Sequence, residues 1–287
     1  MISFTQITSF AKCPREYYLK YRKGVRLKKR PVYFVTGSAV HKAIEAWRLG
    51  GSWETALRNA FALSPVEMER MNQADLDRLR TEEMKAYGMV AGYVSRYADD
   101  QKHESMVEKE FTLQVGKDVL HGFIDCMIRF EDGWALQELK TASQPDQDYF
   151  NRVRLDWQVM LYMLGAKSLL GEFPKYLLYD VIVKPQIRLR QNEGLEDYRN
   201  RLVELYTGRD SDRMFVRERL ILPTKNVKEA MKEVALFNAI RRKMNEMEYW
   251  PKNPNSCTGR YGSCLFLPIC SNNGIIDSRL FFTKEEE

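Results

Sequence analysis

A chain of 287 residues with 44% hydrophobic content can bury a substantial core, as one large domain or a domain carrying a helical insertion. No run of about 18 apolar residues and no charged-then-apolar leader occurs, which argues against membrane insertion and export and implies a cytoplasmic protein. The formal charge of +6 is local: Lys20 to Arg30 holds seven basic residues and no acid, and without them the balance is −1. A stretch of that kind suits contact with a polyanion.

In chain order, Ser3 and Gln6 have the spacing of a capping box, and Pro14 suits the first turn of a second helix. The basic residues follow: Lys20, Arg22, Lys23, Arg26, Lys28, Lys29 and Arg30. They read either as a solvated loop or as phosphate contacts with a steep salt dependence. Gly37 to Leu49 predicts a helix with Val40, Ala43, Ile44 and Trp47 as its apolar stripe and His41 beside it. Residues 52–100 are helical and charged, with a Ser64–Glu67 capping box expected to open a long helix. Val107 to Val115 predicts a strand with Glu108 and Glu110 on one face.

His121 to Lys140 predicts a β-hairpin turning at Asp132-Gly133. Pairing Glu131 with Trp134 sets Asp125 opposite Lys140, and puts Asp125, Glu138 and Lys140 on one surface. Asp125 and Glu138 become diagonal neighbours, roughly 7–8 Å apart at the backbone. Two carboxylates so placed in a covered hairpin repel each other unless a divalent cation joins them. Arg152 to Leu170 predicts one helix, with Gln158 and Tyr162 four apart on a single face. Lys175 to Lys184 predicts a buried strand, followed by helices near Glu193 to Thr207 and Val227 to Trp250.

Cys257, Cys264 and Cys270 crowd a Pro- and Gly-rich loop, a pattern of metal ligation in a cytosolic chain. Cys13, before a proline near the N-terminus, is available as a fourth ligand. Cys126 points to the hairpin face opposite Asp125 and reads as packing.

Asp125 followed by Glu138-Leu139-Lys140 resembles the PD-(D/E)XK nuclease superfamily. The order Cys13, His41 (with Gly37 four residues before it), Asp125, Glu138-x-Lys140, Gln158-x-x-x-Tyr162 and three cysteines resembles its RecB-type members. Among those it resembles the iron–sulfur nucleases of the AddB and CRISPR-associated type. The resemblance implies an α/β fold: a central mixed β-sheet flanked by helices, a restriction-endonuclease-like core. It also implies a helical insertion and a cysteine clasp joining the N- and C-terminal segments. The whole of residues 1–287 is expected to form a single nuclease domain. Within it, 1–36 would carry the first cysteine and the basic stretch, 50–105 the insertion, 106–190 the nuclease core, and 191–287 the C-terminal helices and cysteine loop.

The resemblance further implies that His41, Asp125, Glu138 and the Leu139 carbonyl hold Mg²⁺ or Mn²⁺. Lys140 would act on the attacking water or the transition state, Gln158 and Tyr162 would orient the strand, and Glu108 would support the site. Cys13, Cys257, Cys264 and Cys270 would hold a [4Fe–4S] cluster. Six residues separate Cys257 from Cys264 where many relatives have two, so a structural Zn²⁺ site stays open. The implied activity is exonucleolytic hydrolysis of single-stranded DNA in recombination, repair or replication. No GxxxxGK[ST] motif occurs, so unwinding would fall to a helicase or recombination protein in trans. The competing reading is a non-catalytic DNA-binding or assembly subunit of such a complex. Oligomeric state is left open.

Overall fold

The computed structural model, which describes residues 1–29, 32–259 and 262–283, begins with β1 (Ile2–Ser3) and α1 (Phe4–Lys12). The expected capping box is present: the Ser3 hydroxyl accepts from the Gln6 N–H, and the Gln6 side chain accepts from the Ser3 N–H. Pro14 starts α2 (Pro14–Tyr17), where its missing N–H leaves no bond unmade. Tyr18–Arg22 then form a π-helical turn, and β2 (Val25–Leu27) follows. The basic stretch is therefore partly regular structure. Arg26 is occupied, donating to the carbonyl of Val25 at 2.9 Å, and Arg30 lies outside the described residues.

Next come α3 (Tyr33–Arg48), α4 (Trp53–Phe61), α5 (Pro65–Glu69) and α6 (Gln73–Arg96). Val40, Ala43, Ile44 and Trp47 of α3 are buried, as their helical spacing requires. The Ser64–Glu67 box caps only the short α5. The long helix starts at a second box, where the Asn72 side chain accepts from the Asp75 N–H. Three strands follow, β3 (Ser105–Val115), β4 (Asp118–Phe130) and β5 (Gly133–Ala142).

The helix expected over 152–170 is two, α7 (Gln147–Val153) and α8 (Trp157–Leu170). Asp156 separates them because its carboxylate accepts from the Gln158 N–H and so starts a new helix. After β6 (Tyr176–Val183) and α9 (Leu195–Thr207) comes β7 (Phe215–Leu220), a strand hidden by the charges of its Arg217-Glu218-Arg219 centre. The chain ends with α10 (Thr224–Glu246), β8 (Thr258–Gly259), β9 (Gly262–Ser263), α11 (Leu267–Ser271) and β10 (Phe281–Thr283).

Two compact units result. One comprises Pro31–Phe111 and Phe123–Val227. Its sheet runs β4-β5-β6-β7, with β5 and β6 parallel and the flanking pairs antiparallel. It is thus a mixed sheet, and β6 is buried along nearly its whole length. Leu139 and Ile182 of the sheet share a core with Val40, Ile44 and Trp47 of α3 and Met89 and Tyr93 of α6. Elsewhere in this unit, Gly165 of α8 lies so close to Phe111 that a methyl there would sit 2.6 Å from the ring.

The other unit comprises Met1–Arg30, Thr112–Gly122 and Lys228–Glu287. Trp250 stacks on Tyr18 and meets Phe10 edge-on, so the N-terminal helices are packed against the segment after α10. β10 pairs with β2, and β1 lies parallel to the first residues of β4. Among the described residues no helix is long and apolar enough to cross a membrane.

Candidate functional site

The β4–β5 hairpin forms, with a register that differs from the expected one. Phe130 pairs with Gly133, and the ladder runs to Cys126 with Gln137. The turn is therefore Glu131-Asp132, and Gly133 behind it takes a φ of 128°. A primed Asp-Gly turn would need positive φ at Asp132, and the chain instead places the glycine one position later. The pairing shifts by two residues. Because side chains alternate with a period of two, that shift preserves the face. One step beyond the Cys126–Gln137 pair, Asp125 comes level with Glu138 instead of diagonal to it.

Glu138 is 1% exposed. Lys140 donates its ammonium to Glu138 Oε1, while Oε2 is buried without a hydrogen-bond partner. Burial holds the Glu138 carboxyl above the usual carboxylate range; Lys140 opposes this and Asp125 adds to it. Burial also acts to lower the Lys140 pKa, but the charge and hydrogen bond of Glu138 outweigh it, so the ammonium form is favoured. Lys140 donates to Gln158 Oε1 at 3.3 Å, and Gln158 is hydrogen-bonded to Tyr162. Burial, then the charges of Glu138 and Asp125, push the Tyr162 phenol up to about 12. The Gln158–Tyr162 pair expected on one helix face therefore reaches the same group of residues as the Glu-x-Lys strand.

On α3, His41 Nδ1 lies 3.4 Å from Asp125 Oδ2. Glu108 takes a φ of 48° within β3, a left-handed conformation that interrupts the strand's alternation. The expectation that Glu108 and Glu110 simply share a face therefore does not hold through that residue. Glu108 lines a small cavity with His41, Glu45 and Asp125. Burial raises its pKa, with Glu45 and Asp125 adding to the rise and His41 opposing it. Glu45 was not singled out from the sequence, although it sits four residues after His41 and therefore one helical turn away. The unit thus gathers four carboxylates, Glu45, Glu108, Asp125 and Glu138, around one ammonium and one imidazole, and the Arg48 guanidinium that also lines the cavity is paired with Asp100. The orphaned Glu138 oxygen and this excess of negative charge suit a hard divalent cation, and the imidazole is compatible with Mn²⁺.

A second buried group escaped sequence reading entirely. Tyr93 donates to Asp180 Oδ2 at 2.7 Å, and Gln137, beside Glu138 on β5, donates to the same oxygen at 2.7 Å. Arg217 donates to Asp180 Oδ1 at 2.7 Å and to Asp100 Oδ2 at 2.8 Å, and Arg48 to Asp100 Oδ2 at 3.2 Å. Two guanidiniums balance two carboxylates, so the network is satisfied internally and braces β5, β6 and β7.

In the other unit all four candidate cysteines are free thiols. The Asn253 N–H donates to Cys13 Sγ at 3.4 Å, and the Cys257 thiol lies 3.8 Å from the Asn253 carbonyl. The Cys264 N–H donates to the Cys257 carbonyl at 2.7 Å. Burial raises the Cys270 pKa, with Cys13 and Cys264 adding to the rise and Lys252 and Arg15 opposing it. Cys13, Cys264 and Cys270 lie within electrostatic reach of one another, and Cys257 shares Asn253 with Cys13; thiols of this kind suit a soft or borderline metal. Cys126 is buried against Ile128, Ala135, Tyr176 and Leu178, as packing. Among the described residues no three His, Cys, Asp or Glu side chains already converge on one cation position.

A mixed sheet that sets an aspartate level with a buried glutamate–lysine pair defines a nuclease-type core. The sequence profile of the PD-(D/E)XK nuclease superfamily matches residues 1–271, and the chain belongs to that superfamily. The crystal structure of the "putative exonuclease" from Eubacterium rectale aligns with a TM-score of 0.54, covering 96% of this chain and 89% of the other at 12% identity. That is a likeness of fold. Among curated proteins none matches the sequence.

Proposed function

We propose that the protein is a metal-dependent deoxyribonuclease of the RecB type that removes nucleotides from the ends of single-stranded DNA. The observation that carries this reading is the buried Glu138 carboxylate, level with Asp125, with one oxygen on Lys140 and the other without a partner. His41, Asp125, Glu138 and the Leu139 carbonyl would hold Mg²⁺ or Mn²⁺, with Glu108 supporting them. The cation supplies neutralisation of phosphate charge and a lowered pKa for the attacking water.

The chain's own groups do the rest. Lys140 keeps its proton through Glu138, so it presents positive charge and an N–H donor where charge builds in the transition state. Gln158 fixes the direction of the Lys140 ammonium and, with Tyr162, gives the strand polar contacts. Burial of Glu138 strengthens every charge interaction around it. Cys13, Cys257, Cys264 and Cys270 would hold a [4Fe–4S] cluster whose ligation contributes folding free energy. We read the chain as one nuclease domain that works with a helicase or recombination protein in trans.

Matched linear and circular single-stranded DNA with Mn²⁺ or Mg²⁺ test the end requirement. Loss of linear DNA alone is expected, and cutting of circles would replace the exonuclease with an endonuclease. If neither is cut while DNA is still bound, the protein is a binding or assembly subunit.

A further inference from the structure

We infer that the unit formed by both chain ends carries a second site, one that recognises the phosphate of a nucleotide. A cavity of about 930 Å³ there is lined by Arg15, Arg22, Lys23 and Lys252, with Tyr18 and Asn273 among its other walls. Among the described residues no aspartate or glutamate lines it. The volume lies in the roughly 300–1,000 Å³ range of ligand sites, and four cations that share the cavity with the Cys270 thiol and with no carboxylate of the described residues call for an anion.

The local backbone builds this convergence. The Lys23 N–H donates to the Tyr18 carbonyl at 2.9 Å, five residues back, which widens the turn into a π-helix. Such turns concentrate at functional sites. The wider turn brings Tyr18, Arg22 and Lys23 to the same cavity, and Gly24, with a φ of 65°, ends it. Arg22 and Lys23 are exposed. Lys252 is held in place by donating to the Cys270 carbonyl at 2.8 Å. The Arg15 guanidinium lies 5.7 Å from the Tyr18 ring centre, and its Nε is buried without a hydrogen-bond partner. Tyr18 is itself stacked on Trp250, so the cavity has a rigid aromatic wall beside its cations. Phosphate on the cations with a base or sugar against that wall is the chemistry of a nucleotide.

The choice of ligand rests on the nuclease reading, and the site is separately testable. Fluorescence anisotropy of the full-length protein without added divalent metal would compare a labelled single-stranded oligonucleotide with a labelled ATP analogue. The proteins are wild type, Arg22→Gln with Lys23→Gln, Lys252→Gln, and the control Lys232→Gln on α10. Weakening of at least tenfold in the cavity variants, with the control within twofold, is expected. If the oligonucleotide shows it, the phosphate belongs to a strand; if only the nucleotide does, the ligand is free. Affinities that match the control for both ligands, or no binding of either, overturn the site. Wild-type protein that cuts DNA while the cavity variants bind normally overturns this inference alone. Binding through these residues with no cleavage overturns the nuclease reading alone.

Discussion

Lys140 donates to one oxygen of the Glu138 carboxylate and leaves the other, Oε2, buried without a hydrogen-bond partner. Folding normally pairs such an atom, because a lone buried acceptor costs about 1–3 kcal/mol. We take this oxygen, kept beside Asp125 among an excess of carboxylates, as the position where the proposed divalent cation would bind.

Arg217 is the member of the buried network whose removal costs most. Arg217→Met leaves Asp180 and Asp100 without their shared partner in a dry environment, and loss of about 3–5 kcal/mol of stability is expected. Urea denaturation measures it. A loss under about 1 kcal/mol would mean that Arg48 and Tyr93 suffice to hold the two carboxylates.

A separate clamp contributes to the acid limb of stability. The Glu193 carboxylate accepts from Arg201 Nε and Nη2 at 2.8 and 2.7 Å, and from the Arg190 N–H at 2.8 Å. These bonds, that of Arg201 foremost, hold its pKa down to about 2. A depressed carboxylate pKa stabilises the fold above the unfolded value of about 4.3, and the contribution is lost as pH falls toward the folded value. Glu193→Gln should therefore lower the melting temperature at pH 7, and the gap from wild type should close between about pH 4.5 and pH 2. A gap independent of pH would assign the loss to packing.

Cys13→Ser should prevent loading of the metal proposed for the terminal unit and lower the melting temperature of the metal-loaded protein, as should Cys264→Ser. Iron and sulfide analysis with a visible spectrum identifies a cluster, and zinc without colour identifies the tetrahedral alternative. Full metal content in both variants would show that the four thiols do not act together.

How much of this was legible in the sequence depended on whether a feature was local. The Gln158–Tyr162 pair, the α3 stripe and the shared face of Asp125, Glu138 and Lys140 follow from periodicity, and they stand in the structure. The level of Asp125 against Glu138 turned on whether Asp132 joined Gly133 in taking positive φ at the tip, which composition left open. Capping motifs were found at Ser64, but helix length depended on the restart at Asn72. The network of Arg48, Tyr93, Asp100, Gln137, Asp180 and Arg217 draws on α3, α6, β5, β6, β7 and the turn after α6, so no spacing announces it. The same holds for Arg15 and Lys252, which join the basic stretch only once the chain ends are packed.

The most direct test of the central claim is the rate of single-stranded DNA cleavage at fixed Mn²⁺ by wild type, Asp125→Asn and Lys140→Ala, each checked for fold by circular dichroism. Loss of a donor or ligand that acts on the transition state should reduce the rate by at least about 10²-fold in each variant with the fold intact. Cleavage at the wild-type rate by either folded variant would contradict the assignment of the reaction to this hairpin.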